Sequence, residues 1–93
     1  EMTKSDIVSE VAKATGMSKK DAAVAVDAFI KSVVDALSKG EEVQIMGFGT
    51  FEVRNRAARK GRNPQNPEEI IEIPEKTVPA FRAGKMLKDA VAK

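Results

Sequence analysis

Apolar residues recur every three to four positions up to Gly40, and the period changes after it. Ile7, Val8, Val11, Ala12 and Ala14 keep helical spacing. Thr3 and Asp6 precede them as a Thr-x-x-acid start, which satisfies free amides at a helix N-terminus, and Gly16 supplies a left-handed stop. The pattern predicts a helix over about 3–15. Ser18 and Asp21 repeat the start signal, and Ala22, Val26, Phe29, Ile30, Val33, Val34 and Leu37 form a second stripe, predicting a helix over about 18–39. Lys39 suits its negative end, Gly40 ends it, and Asp27–Lys31 and Asp35–Lys39 are expected ion pairs on a solvated face. Ala23, Val24, Ala25 and Ala28 widen the stripe beyond what one partner helix covers, which points to burial against a second subunit.

Beyond Gly40, Val43 and Ile45 alternate with Glu42 and Gln44 as a strand does. Met46-Gly47-Phe48-Gly49 predicts a tight turn with glycines at positive φ, and Thr50, Phe51 and Val53 resume the strand. Between Arg54 and Pro64 the only apolar residues are Ala57 and Ala58. Ile70, Ile71 and Ile73 return among glutamates, residues 78–81 predict a short last strand, and residues 84–92 a short helix with Met86, Leu87, Ala90 and Val91 on one side. Residues 54–75 thus read as a long hairpin with its tip near Asn63-Pro64-Gln65-Asn66-Pro67 and too little apolar surface to pack on the body. The body that remains is small enough that one core rarely supplies more than ~3–5 kcal/mol, and dimerisation is expected to add the missing burial.

Composition narrows the chemistry. The 93 residues include no His and no Cys, which excludes imidazole bases, thiol chemistry, zinc fingers and disulfides. No catalysis and no cofactor are expected. No apolar run reaches the ~18 residues that would span a bilayer, and no membrane partner is expected. The polar start of the chain does not resemble a signal peptide, so the expected compartment is the cytoplasm. Glu1, ahead of Met2, is read as an addition before the native start and is given no structural role.

The net charge of +2 conceals a segregated distribution. Residues 1–53 sum to −3, 54–62 to +5, 63–75 to −4 and 76–93 to +4. Arg54, Arg56, Arg59, Lys60 and Arg62 carry the +5 with no acid among them, more than an edge strand needs for protection. Clustered cations bind nucleic-acid backbones by releasing counterions, and arginine forks suit phosphates and base edges. Asn63-Pro64 is an ordinary turn starter. At the end of a cationic arm, Pro64 is also a rigid apolar ring without an N–H, able to wedge between base pairs. Gln65 adjoins it at the tip. Lys76, Arg82, Lys85, Lys88 and Lys93 form a second basic group, which Lys4 joins if the first helix starts nearby. Lys93 reads as solvated, whereas Arg82 and Lys85 flank Gly84, whose helix start is expected to favour anions. Glu68, Glu69, Glu72 and Glu75 read as a charged outer strand, so no metal site is assigned. Gly47-Phe48-Gly49-Thr50-Phe51 lacks the Lys-Ser/Thr ending of a phosphate loop, and the arm has no aromatic platform for single-stranded bases.

These residues resemble a known family. Gly47-Phe48-Gly49-Thr50-Phe51 followed by Arg54, Arg56 and Arg59-Lys60-Gly61-Arg62-Asn63-Pro64-Gln65-Asn66 is similar to the signature of the bacterial histone-like HU / integration host factor family, and more to its HU branch. Met2-Thr3-Lys4, Ser18 to Ala22, Lys39-Gly40, Val78 to Phe81, Gly84-Lys85 and Leu87-Lys88 extend the likeness over nearly the whole chain. The resemblance implies an α+β fold: an intertwined dimer with a helical base, a short antiparallel β saddle, a long protruding β-ribbon arm per subunit and a short C-terminal helix. It implies one HU-like domain over 1–93, with helical dimerisation over about 3–40, saddle and arm over about 42–81 (arm about 54–75) and the last helix over about 84–92. Phe29, Ile30, Val33, Leu37, Phe48, Phe51 and Phe81 are the expected dimer core. Asn66-Pro67 stands where the family usually has Thr-Gly, the return segment is one residue longer, and Ala83 replaces a common proline. The extra residue is expected to be absorbed by a bulge or a wider tip.

The resulting expectation is an architectural protein of the nucleoid that bends and compacts double-stranded DNA with little sequence preference, as a homodimer favouring bent, nicked or gapped forms. Arg54, Arg56, Arg59, Lys60, Arg62, Lys76, Arg82, Lys85 and Lys4 would contact DNA, and Asn63, Pro64 and Gln65 would enter the minor groove, with Pro64 as the wedge. The kinking mechanism is the family's own and comes with the resemblance. An RNA-binding or ribosome-associated hairpin is the alternative, and a self-assembling protein whose arms bind acidic partners is a third reading.

Overall fold

The computed structural model describes residues 1–92. Lys93, expected to be solvated, lies outside the described residues. Helix α1 spans Lys4–Thr15. Thr3 caps it reciprocally: Asp6 N donates to Thr3 Oγ1 and Thr3 N to Asp6 Oδ2, at 3.3 and 2.9 Å. The Thr3 backbone bond, with help from the Thr3 hydroxyl, holds the Asp6 carboxyl below its usual pKa. Gly16 ends α1 at φ +76°, a left-handed conformation that glycine adopts without steric cost.

Helix α2 spans Lys19–Ser38, and Ser18 Oγ accepts from Asp21 N at 3.1 Å. The charge pairing differs from the expected pattern. Asp27 takes Lys4 from α1, and Lys31 donates instead to Asp35 at 2.9 Å. The reason is tertiary: α1 packs across α2 and brings a cation to Asp27, while Lys39 already lies beyond the last helical residue.

Five strands follow: β1 Val43–Ile45, β2 Gly49–Arg56, β3 Arg59–Asn63, β4 Asn66–Ile73 and β5 Lys76–Ala83, then helix α3 Lys85–Val91. An antiparallel sheet of order β1-β2-β5 forms the saddle, and β3 pairs with β4 as a separate ribbon. β2 and β5 are longer than the apolar pattern predicts. They stay paired out to Arg56↔Lys76, so Arg54 and Arg56 belong to the saddle sheet and the separate ribbon begins at Arg59.

The saddle has two unlike faces, set by its register. Val43 stands beside Phe51, Phe51 beside Phe81 and Val53 beside Pro79, giving an apolar face. Phe81 lies between Phe48 and Phe51, with ring centroids at 5.3 and 4.9 Å. Gly49 allows this packing, since a Cβ there would come within 2.4 Å of the Phe81 ring.

This chain buries little by itself. Ala12, Ala22 and Val33 are its buried apolar residues among those described, and no large side chain is fully enclosed. The accessible surface is 7726 Å², against about 5,200 Å² for a compact monomer of this mass. The radius of gyration is 18.9 Å, against about 12 Å for a compact chain of this length. Of the expected dimer core, Val33 is buried and Leu37 and Phe51 are half-buried. Phe29 remains 50% exposed, and Ile30, Phe48 and Phe81 are exposed too. Among the described residues, no helix is long and apolar enough to cross a membrane.

Candidate nucleic-acid interface

The saddle's second face collects cations from two strands. Strand side chains alternate faces, so Thr50, Glu52, Arg54 and Arg56 of β2 share one face with Arg82, Ala80, Val78 and Lys76 directly opposite on β5. Arg54, Arg56, Lys76 and Arg82 therefore stand together, on the side away from Phe51, Val53 and Phe81. Sequence alone could name all four but not place them on one surface, because Lys76 and Arg82 lie at least 20 positions from their partners' strand.

Glu52 sits among these cations and was not singled out in the sequence. Its Oε2 accepts from Arg54 Nε at 3.0 Å, and Arg82 Nη1 approaches Oε1 at 3.5 Å. Oε1 has no hydrogen bond, so the Arg82 contact is an ion pair alone. Beyond Glu52, Arg56 faces Lys76 with no ion pair for either among the described residues.

The cationic surface continues into the ribbon. Arg59 faces Ile73, Lys60 faces Glu72 and Arg62 faces Ile70. None of Arg59, Lys60 and Arg62 forms a salt bridge among the described residues, although β4 carries glutamates beside them. Asparagines take one of those acids and one beyond the strand: Asn63 Nδ2 donates to Glu69 and Asn55 Nδ2 to Glu75, at 2.9 and 2.8 Å. Ile70 is exposed beside Arg62.

The tip resolves the length difference. Asn63 pairs with Asn66 around a two-residue turn, Pro64-Gln65, while Arg62 pairs with Ile70. Pro67, Glu68 and Glu69 thus have no partner on β3, and the return strand bulges there. Pro67 suits a bulge because it has no ladder N–H to lose. Arg62 Nη1 donates to Pro67 O at 2.9 Å, supplying a donor where the ladder has none. Gln65 N donates to Asn63 Oδ1 at 3.0 Å, which closes the turn. Among the described residues no non-glycine has positive φ, so this turn works without the glycine that Asn66-Pro67 lacks. Of the two expected remedies the structure uses the bulge, and the tip stays narrow.

Two other expected sites have partners within the chain. Lys4 and Lys85 are engaged within the chain, Lys4 with Asp27 and Lys85 with Asp89. At the start of α3, Gly84 N donates to Phe48 O and Met86 N to Gly47 O, at 2.8 and 3.1 Å. Those amides are not open to an anion, because the β1–β2 turn docks on them. Among the described residues, no cluster of three or more acidic groups could hold a metal ion.

The same architecture occurs in known proteins. The sequence pattern of the family described as "Bacterial DNA-binding protein" matches residues 2–92. The "DNA-binding protein HU" of Geobacillus stearothermophilus is 60% identical over 90 residues, covering 97% of this chain and 99% of that protein. The Anabaena HU of an HU–DNA cocrystal structure superposes with a TM-score of 0.91 at 43% identity, over 98% of each chain. HU from Thermotoga maritima gives 0.70 at 35% identity, over 98% of this chain and all of that one. These relatives are named for DNA or for HU and not for catalysis. With one cationic saddle face, a basic ribbon and likeness from end to end, the chain belongs to the HU family of bacterial DNA-binding proteins.

Proposed function

We propose that this protein is an architectural DNA-binding protein of the nucleoid, acting in the cytoplasm as a homodimer that bends duplex DNA with little sequence preference. One observation carries the reading: a single face holding Arg54, Arg56, Lys76 and Arg82 leads into a ribbon holding Arg59, Lys60 and Arg62, with Pro64 at its turn. The saddle cations would grip phosphates, and the ribbon would follow the minor groove. Asn63 and Gln65 would enter it, with Pro64 opening a base step. In architectural proteins of this class, HU among them, such a wedge exchanges a few kcal/mol of unstacking for a bend. DNA that is already bent, nicked or gapped costs less to open and is the favoured form. Lys4 and Lys85 keep ammonium donors free for phosphates beside Asp27 and Asp89, whose charge offsets theirs. The similarity to an HU crystallised with DNA supports this reading.

The dimer is inferred from the surface that the single chain leaves open. Phe29, Ile30 and Val34 on α2 and Phe48 and Phe81 on the saddle are exposed. A soluble monomer rarely shows so much contiguous apolar surface, and a second copy would cover it.

The test compares wild type with Pro64→Ala on intact, nicked and gapped duplexes carrying a donor and an acceptor dye. Affinity is expected to change little while the bend decreases, with wild type preferring the nicked and gapped forms. Equal bending by the two proteins would remove the wedge. Sizing of the free protein at one subunit would remove the dimer.

A further inference from the structure

The saddle's cationic face contains one acid, and its placement is unusual. Glu52 is only 13% exposed at its side chain, whereas Arg54 and Arg82 are 56% and 63% exposed. The carboxylate lies inward and the two guanidinium groups outward. In register, Arg82 faces Thr50 and Arg54 lies four positions further along, so Glu52 is midway between them. The two arginines are thus about 14 Å apart along the strand direction, and one carboxylate reaches both.

Stability does not account for this residue. Ion pairs whose cations are largely exposed contribute little. A largely buried carboxylate pays for desolvation, and here Oε1 lacks a hydrogen bond. A small apolar residue would fill the position at lower cost. The contacts do something else: they occupy Arg54 Nε and approach one Nη1 edge of Arg82, leaving the other guanidinium donors of both side chains unclaimed by Glu52.

We propose that Glu52 is a positioning residue that sets the directions of Arg54 and Arg82, one from each strand, toward the DNA backbone. This rests on the DNA-binding reading above. Holding the two forks in place before binding reduces the side-chain entropy lost on contact. The cost is one negative charge in a surface that must attract phosphates.

That opposition makes the role testable with two variants of equal charge. Glu52→Gln and Glu52→Ala both remove the negative charge, and charge alone would make them bind DNA equally well and more tightly than wild type. Only Gln keeps an oxygen that can accept from Arg54 Nε. Positioning therefore predicts that Glu52→Ala binds a labelled duplex more weakly than Glu52→Gln. The lost pre-ordering of a side chain makes its binding about two- to tenfold weaker than that of Glu52→Gln at each salt concentration. Equal affinity for the two would overturn the proposal. A companion measurement needs no variant: in free wild type, Arg54 Nε–H should exchange with solvent more slowly than Arg56 Nε–H, and equal rates would overturn it. Failure of wild type itself to bind DNA in a salt-dependent way would instead overturn the function on which the proposal rests.

Discussion

Arg56 and Arg54 carry the same charge on the same face, two residues apart, yet their removal should have opposite effects on stability. Arg56 lies directly opposite Lys76, and neither has an ion pair among the described residues. Like charges directly opposed across a ladder cost about 0.2–1 kcal/mol. Arg56→Gln keeps most of the stem and removes that repulsion, so the free protein should gain about 0.5 kcal/mol. For a domain of this size that corresponds to a Tm rise of about 2–4 °C. Arg54→Gln removes the hydrogen-bonded partner of Glu52, so it should lower the Tm. Both should weaken DNA binding alike, each making the salt slope shallower by about 0.9. Thermal melting of the free proteins and fluorescence anisotropy of a labelled duplex at several salt concentrations read the two effects separately. A Tm loss for Arg56→Gln equal to that for Arg54→Gln would refute the like-charge argument. An unchanged salt slope would remove Arg56 from the phosphate-contacting set.

Three further outcomes follow from particular contacts. Phe29→Asp places a charge on the half-exposed apolar face of α2 and should convert a two-subunit species into single chains with a large loss of stability, as read by sedimentation and melting; a dimer of unchanged stability would show that this face is not the interface. Gly49→Ala drives a Cβ into Phe81 and the Arg82 carbonyl, at 2.4 and 2.7 Å, and should cost at least about 1–3 kcal/mol in denaturant unfolding; wild-type stability would contradict the packing. The Asp6 pKa is lowered on folding from 3.8 by its Thr3 bonds, so its stabilisation is present above that value and lost as pH falls through the lower folded value. The Tm difference between wild type and Asp6→Ala should therefore be constant near neutral pH and shrink below about pH 4, whereas a difference that persists in strong acid would mean that charge is not its source.

Local signals in the sequence were sufficient for the helices. Thr3 with Asp6, Ser18 with Asp21, and Gly16 act over three or four residues, and each does in the structure what its type predicts. The basic hairpin and its proline turn were equally legible, since a run of cations with nothing to bury cannot join a core. Ion pairing was not, because Asp27 pairs with Lys4, a partner that only the packing of α1 on α2 brings near, while Lys31 pairs with Asp35. The bulge was legible only as one of two options, and its three unpaired residues go with Arg62 and Asn63 reaching back to Pro67 and Glu69.

The sequence by itself determined which residues carry charge, where the chain turns, and that one segment must leave the body. It did so because propensity, capping and charge density are properties of neighbours along the chain. Only the tertiary structure decided which cations act together. The β2–β5 register brings residues 50–56 against 76–82, and side chains there alternate with a period of two. A slip of one residue would have moved Lys76 and Arg82 to the apolar side. Register also places Glu52 between two arginines from different strands, a relation that no local pattern contains.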